Sequence, residues 1–262
     1  MRRVPALLAI AVFAAGCGHA ARATHATTKS PPAAATTSAG TTTAAAPPQA
    51  QTNVRVYFLR DGKVEPVARA VSTPAVATAA LEALATGPTA QETAERYTSK
   101  ASHAPTSVTI ANGIATVDLP VLSHAGLAQV VYTLTQFPTV HGVRGTRSIG
   151  DSPPLTRAQF EDVTPPILVE SPLPGDSVTS PLRVSGTANT FEATFDLEIL
   201  NSSGVRAAWR FVTATSGSGT RGTFDTTISF PHTDGPITLV AYEPSAANGK
   251  PVHVVRIPLS ER

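Results

Sequence analysis

Residues 123–138 read Ser-His-Ala-Gly-Leu-Ala-Gln-Val-Val-Tyr-Thr-Leu-Thr-Gln-Phe-Pro. Leu127, Val130, Val131 and Leu134 recur at i, i+3, i+4 and i+7, the rhythm of one face of an α-helix. Ser123 stands where a capping hydroxyl is useful. Phe137-Pro138 ends the helix, since proline lacks an N–H and restricts the residue before it. On both sides the period changes to two. Val108–Ile110 and Ile114–Leu119 flank Asn112-Gly113, a pair suited to the type I′ turn, whose two central residues both need positive φ. Val140–Ile149 reads as a strand after the helix. Further upstream, Val54–Leu59 and Val64–Val71 bracket Arg60-Asp61-Gly62-Lys63 as a second hairpin. Thr73 is expected to cap, and Pro74 to open, a helix with the apolar stripe Val76, Ala79, Ala80 and Leu84 and a stop at Gly87-Pro88. Residues 88–105 read as a long loop or weak helix. The order β-β-α-β-β-α-β over residues 53–150 predicts an α+β domain with its helices on one face of a sheet.

Residues 151–166 contain Pro153-Pro154 and Pro165-Pro166 and are expected to form a short interdomain linker. From 167 to 259 the pattern is all-β. Phe191, Ala193, Phe195, Leu197 and Ile199 alternate with Glu192, Thr194, Asp196 and Glu198, which predicts a half-buried strand with its acidic residues on the solvent face. Asn201–Gly204 turns the chain into Val205–Thr215, which carries Trp209 and Phe211. Phe224–Phe230, Ile237–Tyr242 and Val252–Leu259 follow. Short strands at this spacing predict an immunoglobulin-like β-sandwich.

The sequence has 262 residues, with 20 Lys+Arg against 18 Asp+Glu and a formal net charge of +2. Arg2, Arg3, Arg22 and Lys29 all precede residue 53, so the folded part carries 16 basic and 18 acidic residues. Phosphate binding needs a basic stripe on the folded part, so no nucleic-acid partner is expected. One cysteine excludes a disulfide framework and a Cys-rich metal site.

That cysteine follows Met-Arg-Arg and the apolar run Val4–Ala15, the layout of a secretory signal peptide over residues 1–16. The run is shorter than the ~20 residues a bilayer span needs. Ala14-Ala15-Gly16-Cys17 resembles a bacterial lipobox, with Ala14 where Leu is more usual. Cys17 is therefore the expected lipid-attachment residue, placing the chain on the outer face of a bacterial cell membrane. The alternative is an ordinary secreted protein with a chance thiol. Residues 17–52 are expected to form a disordered tether. From 18 to 52 there are 12 Ala, 9 Thr and 4 Pro and no Leu, Ile, Val or Phe, too little apolar surface to offset chain entropy. As a coil the tether would reach ~30–35 Å; its Thr-rich tract is a candidate for O-glycans.

Several stretches together carry a family resemblance: Val54–Gly62, Leu81–Leu84 with Gly87-Pro88-Thr89, Ala115–Leu119, and above all Ala128–Pro138. They resemble a GerMN domain, the sporulation and spore-germination domain. Ser171–Gly175, Ser180–Leu182, Val184–Ala188, Phe191–Ala193 and Gly222–Phe224 resemble the immunoglobulin-like domain of bacterial spore germination. The resemblance covers roughly residues 53–259. It implies a non-enzymatic binding or scaffold role in a cell envelope, with an envelope protein partner and possible self-assembly, and sporulation itself is not carried over with it.

Motifs with chemistry of their own are few. Gly217-Ser218-Gly219-Thr220-Arg221-Gly222 has the spacing of a dinucleotide fingerprint. It leads into an alternating segment rather than a helix, so a flexible hairpin loop is expected and no cofactor. His124 and His141 flank one helix and could meet, although capping or solvent-facing roles are the expectation; no zincin spacing exists. Asp118 reads as a strand-end carboxylate. Glu192, Asp196 and Glu198 read as a solvated face rather than a calcium site, which needs carboxylates converging from a loop. Asn201-Ser202-Ser203 is a glycosylation sequon without meaning on a bacterial route. Tyr132 and Phe137 are expected in the first domain's core or at its rim. No catalytic or metal residue is assigned. A glycan-binding wall module is the alternative function, weakened by the small supply of aromatics, with one Trp and four Tyr. A hydrolase lacks its nucleophile and metal motifs.

Overall fold

A computed structural model describes residues 50–146, 153–233 and 235–262. Cys17, the signal sequence and all of the tether before Ala50 lie outside them, as do residues 147–152. Two domains with separate cores make up the described part, an α+β domain followed by a β-sandwich.

The first domain opens with the hairpin β1 (Gln51–Arg60) and β2 (Lys63–Ser72), paired residue for residue from Gln51↔Ser72 to Arg60↔Lys63. The turn between them places Asp61 at φ 51° and Gly62 at φ 78°, and Asn112 and Gly113 repeat this at 49° and 79°. Both are the positive-φ pairs that Asp-Gly and Asn-Gly accept at least cost. Strand β1 takes in Gln51 and Thr52, which the composition of the tether conceals. α1 (Val76–Thr86) and α2 (Ala90–Ala94) follow, then β3 (Tyr97–Thr98), β4 (Val108–Ala111), β5 (Ile114–Val117), α3 (His124–Leu134) and β6 (Gly142–Gly145). The strands form two sheets, β2-β1-β3 and β4-β5-β6, with β6 parallel to β5.

Local chemistry decides where these elements begin. Ser123 Oγ accepts from Gly126 N at 3.3 Å and caps α3 as expected. Thr73 does not cap α1. Its N–H and hydroxyl both donate to the Ala50 carbonyl, so the helix starts at Val76 behind Ala75, which makes no side-chain cap bond. α2, in the segment read as loop or weak helix, is started by a capping box: Thr89 Oγ1 accepts from Glu92 N while Glu92 accepts from Thr89 N. The last strand is shorter than the predicted 140–149, and residues 147–149 lie outside the described part.

α3 is buried nearly all round, Gln129 and Thr133 included. β1 explains why. β2 occupies one side of it, and β3 pairs only with Leu59 and Arg60 on the other. The remaining free edge is covered by polar side chains of α3 and the turn after it. Thr133 Oγ1 accepts from Tyr57 N at 3.2 Å, Gln129 Nε2 donates to Tyr57 O at 3.0 Å, and Gln136 Oε1 accepts from Arg55 N at 2.7 Å. Gln129, Thr133 and Gln136, at i, i+4 and i+7, thus replace a missing strand and satisfy backbone groups that would otherwise be buried unpaired.

The sandwich consists of β7 (Ile167–Ser171), β8 (Ser177–Val178), β9 (Leu182–Ala188), β10 (Thr194–Leu200), β11 (Arg206–Thr213), β12 (Gly222–Ile228), β13 (Pro236–Pro244) and β14 (Pro251–Glu261). Sheet β11-β10-β13-β14-β8 faces sheet β12-β9-β7. Phe195, Leu197 and Ile199 alternate into the core between them, with Phe195 edge-on to Phe224 at 4.9 Å. The predicted strand loses its first three residues. Phe191–Ala193 instead form a 3-10 turn, with Glu192 and Ala193 at positive φ, because Phe191 N donates to Glu243 Oε1 and Glu192 N to Ser218 Oγ.

Candidate functional site

The join between the domains is built from residues that belong to both. In β7, Ile167 and Val169 lie in the sandwich core, while Leu168 between them lies in the first domain's core. A strand with both faces covered reads as an unbroken apolar run rather than an alternation, as Ile-Leu-Val does here. Ahead of it, residues 157–163 form a 3-10 segment whose Phe160 is buried in the first core. The stretch expected to be a linker is therefore a wedge. Arg157 lies over the rings of Tyr132 and Tyr57, at 4.5 and 5.6 Å from their centroids. It donates to Glu170 Oε1 at 2.9 Å and to Thr135 Oγ1 at 2.8 Å. Tyr57 also donates to Glu170, and the Tyr132 hydroxyl pairs with Thr164 Oγ1 at 2.7 Å. Burial, reinforced by the Glu170 charge, pushes the Tyr57 phenol far above its ordinary range. Burial opposes the charge on Arg157, but Tyr57 and Glu170 outweigh it and hold its pKa above the usual value.

A second clasp uses the fingerprint-like loop. Arg221 donates to both carboxylate oxygens of Glu161 at 2.8 and 2.9 Å and to the Pro165 carbonyl at 2.8 Å. Asn189 Nδ2 donates to Glu161 at 2.7 Å, and its Oδ1 accepts from Gly219 N at 2.9 Å. Burial alone would raise the Glu161 carboxyl, but Arg221 and Asn189 hold it below the ordinary range. Gly217 and Gly222 serve packing, whereas Gly219 has open space around it and φ 104°. A Cβ on Gly217 would stand 2.5 Å from Ala193 N, and one on Gly222 2.3 Å from Ser216 N. The loop runs into β12, as the alternation predicted, but it crosses from one sheet to the other and is pinned to the wedge. It is neither a hairpin turn nor a free loop.

The other sequence candidates stay apart. His124 meets Asp162 at 2.9 Å and lies against the Phe160 ring, whereas His141 lies against Gly113. Asp118 accepts from Thr106 and Thr146 at the end of β5. Asn201 Oδ1 accepts from Ser203 N and Val205 N, an Asx turn. Tyr132 is in the core and Phe137 packs against its rim. Among the described residues no group of three or more His, Cys, Asp or Glu is placed to hold a metal ion, and no helix is long and apolar enough to cross a membrane.

The acidic residues of the sandwich do not form a solvated face. Glu192 sits in the 3-10 turn. Asp196 is only 8% exposed, and its Oδ1 is enclosed without a donor. Burial pushes its carboxyl above the ordinary range, against the lowering effect of the Trp209 indole. Glu198 accepts from the Tyr242 hydroxyl and from Arg206, both at 3.0 Å. Burial and the Glu198 bond push Tyr242 up to about 12. These groups are covered by the outward side chains of the neighbouring strand. In the β10–β11 register Asp196 faces Phe211 and Glu198 faces Trp209. Trp209 and Phe211 are themselves 53% and 55% exposed, on the last strand of the five-stranded sheet. The only tryptophan of the chain is thus a surface residue. Its place in an alternating strand gave no sign of this, since the rhythm does not say which face is wet.

Comparison with known proteins agrees with this architecture. Residues 55–144 match the family described as sporulation and spore germination, and residues 166–250 match the immunoglobulin-like domain of bacterial spore germination. No curated protein gives a significant match. Among solved structures, the tandem GerMN domains of the sporulation protein GerM from Bacillus subtilis align at 15% identity with a TM-score of 0.32, over 69% of this chain and 62% of that one. The chain is therefore a tandem of a GerMN-type sporulation and spore-germination domain and an immunoglobulin-like domain of bacterial spore germination.

Proposed function

We propose that this protein is a lipoprotein, anchored through Cys17 to the outer face of a bacterial cell membrane, whose two domains act together as a non-enzymatic protein-binding scaffold. The observation that carries the scaffold reading is the joint. Arg157–Glu170 and Glu161–Arg221 tie the wedge to the sandwich, while Phe160 in the first core and the stacking of Arg157 on Tyr132 and Tyr57 tie it to the α+β domain, so two recognition surfaces are held in one fixed relation. Fixed geometry reduces the ordering cost of binding a partner across both domains. The charged and polar side chains of the joint are spent on one another, which is how a structural join differs from a catalytic cleft with its free groups. The anchoring part rests on the signal-like residues 1–16 and the lipobox-like Ala14-Ala15-Gly16-Cys17.

Intact-mass analysis of the mature protein, with labelled palmitate, tests the anchor. A diacylated N-terminal Cys17, and release of the Cys17→Ala variant from membranes, are the expected results. A mature chain starting elsewhere, or an unmodified thiol, overturns it. Crosslinking in cells tests the scaffold, which predicts one specific envelope protein crosslinked to surfaces of both domains.

One observation favours a second reading, a wall-glycan module. Trp209, Phe211 and Tyr242 share the outer face of one sheet with two carboxylates, the groups that stack on sugar rings and bond hydroxyls. Sedimentation with purified cell wall separates this reading from the first.

A further inference from the structure

We infer that the free edge of β11 is a docking site for an extended segment of another envelope protein, added to the five-stranded sheet as a sixth strand. The inference rests on the protein-binding reading and names the surface and the kind of partner.

A sheet edge presents unpaired N–H and C=O groups, and folded proteins protect such edges by shortness, proline, bulges or charge. The other open edges among the described residues carry these devices. β14, covered by β8 only at Ser260 and Glu261, has Pro251 and Pro258, with His253 at positive φ. β2 has Pro66 in its middle. β3 and β8 are two residues long, and β4 and β6 four. β7 is five residues long with a register shift at Val169/Ser171. β12 shows solvent Thr223, Asp225 and Thr227, with Asp225 paired to Arg183. β11 is the least protected. A register shift and the Glu198-paired Arg206 stand at its start and Arg210 adds a charge, but its eight residues contain no proline and it pairs with β10 without interruption from Thr213 to Ala208. Its exposed centre is Trp209-Arg210-Phe211. An edge this long and apolar invites pairing, and adding a strand is an established way to bind a peptide.

The centre also states what the incoming strand carries. Trp209 and Phe211 point to the outer face, so the residues opposite them are apolar. Arg210 lies opposite Leu197, on the core side of the sheet, and has no ion-pair partner among the described residues. The residue opposite it is acidic, because opposite charges across a strand pair stabilise and like charges do not. The partner therefore reads apolar–acidic–apolar within an extended segment. A second copy of the chain fits less well. The antiparallel register that pairs Trp209 with Phe211 of another copy sets Arg210 against its own counterpart.

The test uses the full-length protein in detergent micelles and a displayed library of random octapeptides. The expected result is enrichment of alternating apolar–acidic–apolar peptides. A synthetic peptide of that sequence should slow amide exchange in residues 206–213. The Trp209→Lys and Phe211→Lys variants, both exposed sites with the core left intact, should each weaken it by about tenfold or more. Arg210→Glu should invert the charge preference of the selection. No enrichment, or protection elsewhere, overturns the inference. Wall sedimentation abolished by Trp209→Lys overturns it in favour of a glycan surface, and a concentration-dependent dimer lost in Phe211→Lys overturns it in favour of a second copy. If the cellular crosslink persists unchanged in both lysine variants, the scaffold reading stands and the β11 site falls.

Discussion

Arg157 is the residue on which the joint most depends. Its guanidinium meets two aromatic faces, one carboxylate and one hydroxyl, and three of these partners belong to the first domain. Removing one member of a buried pair leaves the other charge desolvated and costs about 3–5 kcal/mol, less where water still reaches it. The Arg157 and Glu170 side chains keep 24% and 14% of their exposure. Arg157→Leu is therefore expected to destabilise the protein by about 2–3 kcal/mol, read from denaturant titration with an unchanged m-value. A cost below about 0.5 kcal/mol would mean that the pair behaves as a surface ion pair and does not hold the joint.

At the scale of elements, α3 does the work of a strand. Gln129 is fully buried, donates to Tyr57 O, and accepts from Lys100 N at 2.7 Å. Gln129→Leu keeps the volume and removes both bonds. Leaving buried backbone groups unpaired costs about 1–3 kcal/mol each, so a loss of about 2–4 kcal/mol is expected, with faster amide exchange at Lys100 as the local signature. Equal stability would show that water satisfies the β1 edge. Much of this region was legible in the sequence. The helix, both hairpins and the α+β class follow from period and turn chemistry. The polar stripe Gln129, Thr133, Gln136 was present too, at helical spacing beside the apolar stripe. It went unread because polar residues on a helix ordinarily mean solvent, and only the missing neighbour of β1 turns them into core. The same limit hid the wedge. Pro153-Pro154 and Pro165-Pro166 look like a linker, and a single Phe160 between them does not announce that it fills the neighbouring core. The buried Asp196 departs from expectation for one reason: acidic residues in an alternating strand ordinarily mark the wet face. Here the outer face is roofed by its own aromatics.

The whole molecule is held together by carboxylates with depressed pKa values as well as by packing. Glu161 is the case at the joint. An acid whose folded pKa lies below its unfolded one contributes stability at pH values above the unfolded value, and loses it as pH falls through the folded one. Glu161 side-chain exposure is 40%, so solvent screens part of the effect. The joint is expected to be fully formed at neutral pH and to loosen below the ordinary carboxylate range. Calorimetry should show one cooperative transition at pH 7 that broadens or splits as pH falls below about 4. Glu161→Gln should show the weakened joint already at pH 7 and a smaller further change on acidification. Two separate transitions at neutral pH in the unmodified protein would overturn the view of the domains as one body.

The ten-residue register between β1 and β2 has a mechanical consequence. The chain enters the fold at Gln51, while Lys63 at the opposite end of the hairpin donates to the Asp162 carbonyl of the wedge. Under the anchoring and partner proposed above, a pull from the N-terminal side toward the sandwich would enter at one end of β1 and leave near the other. It would run along the β1 backbone and its two-residue turn rather than across the ladder, so the rungs would not be unzipped one at a time. The hairpin that starts the fold lies in line with that pull.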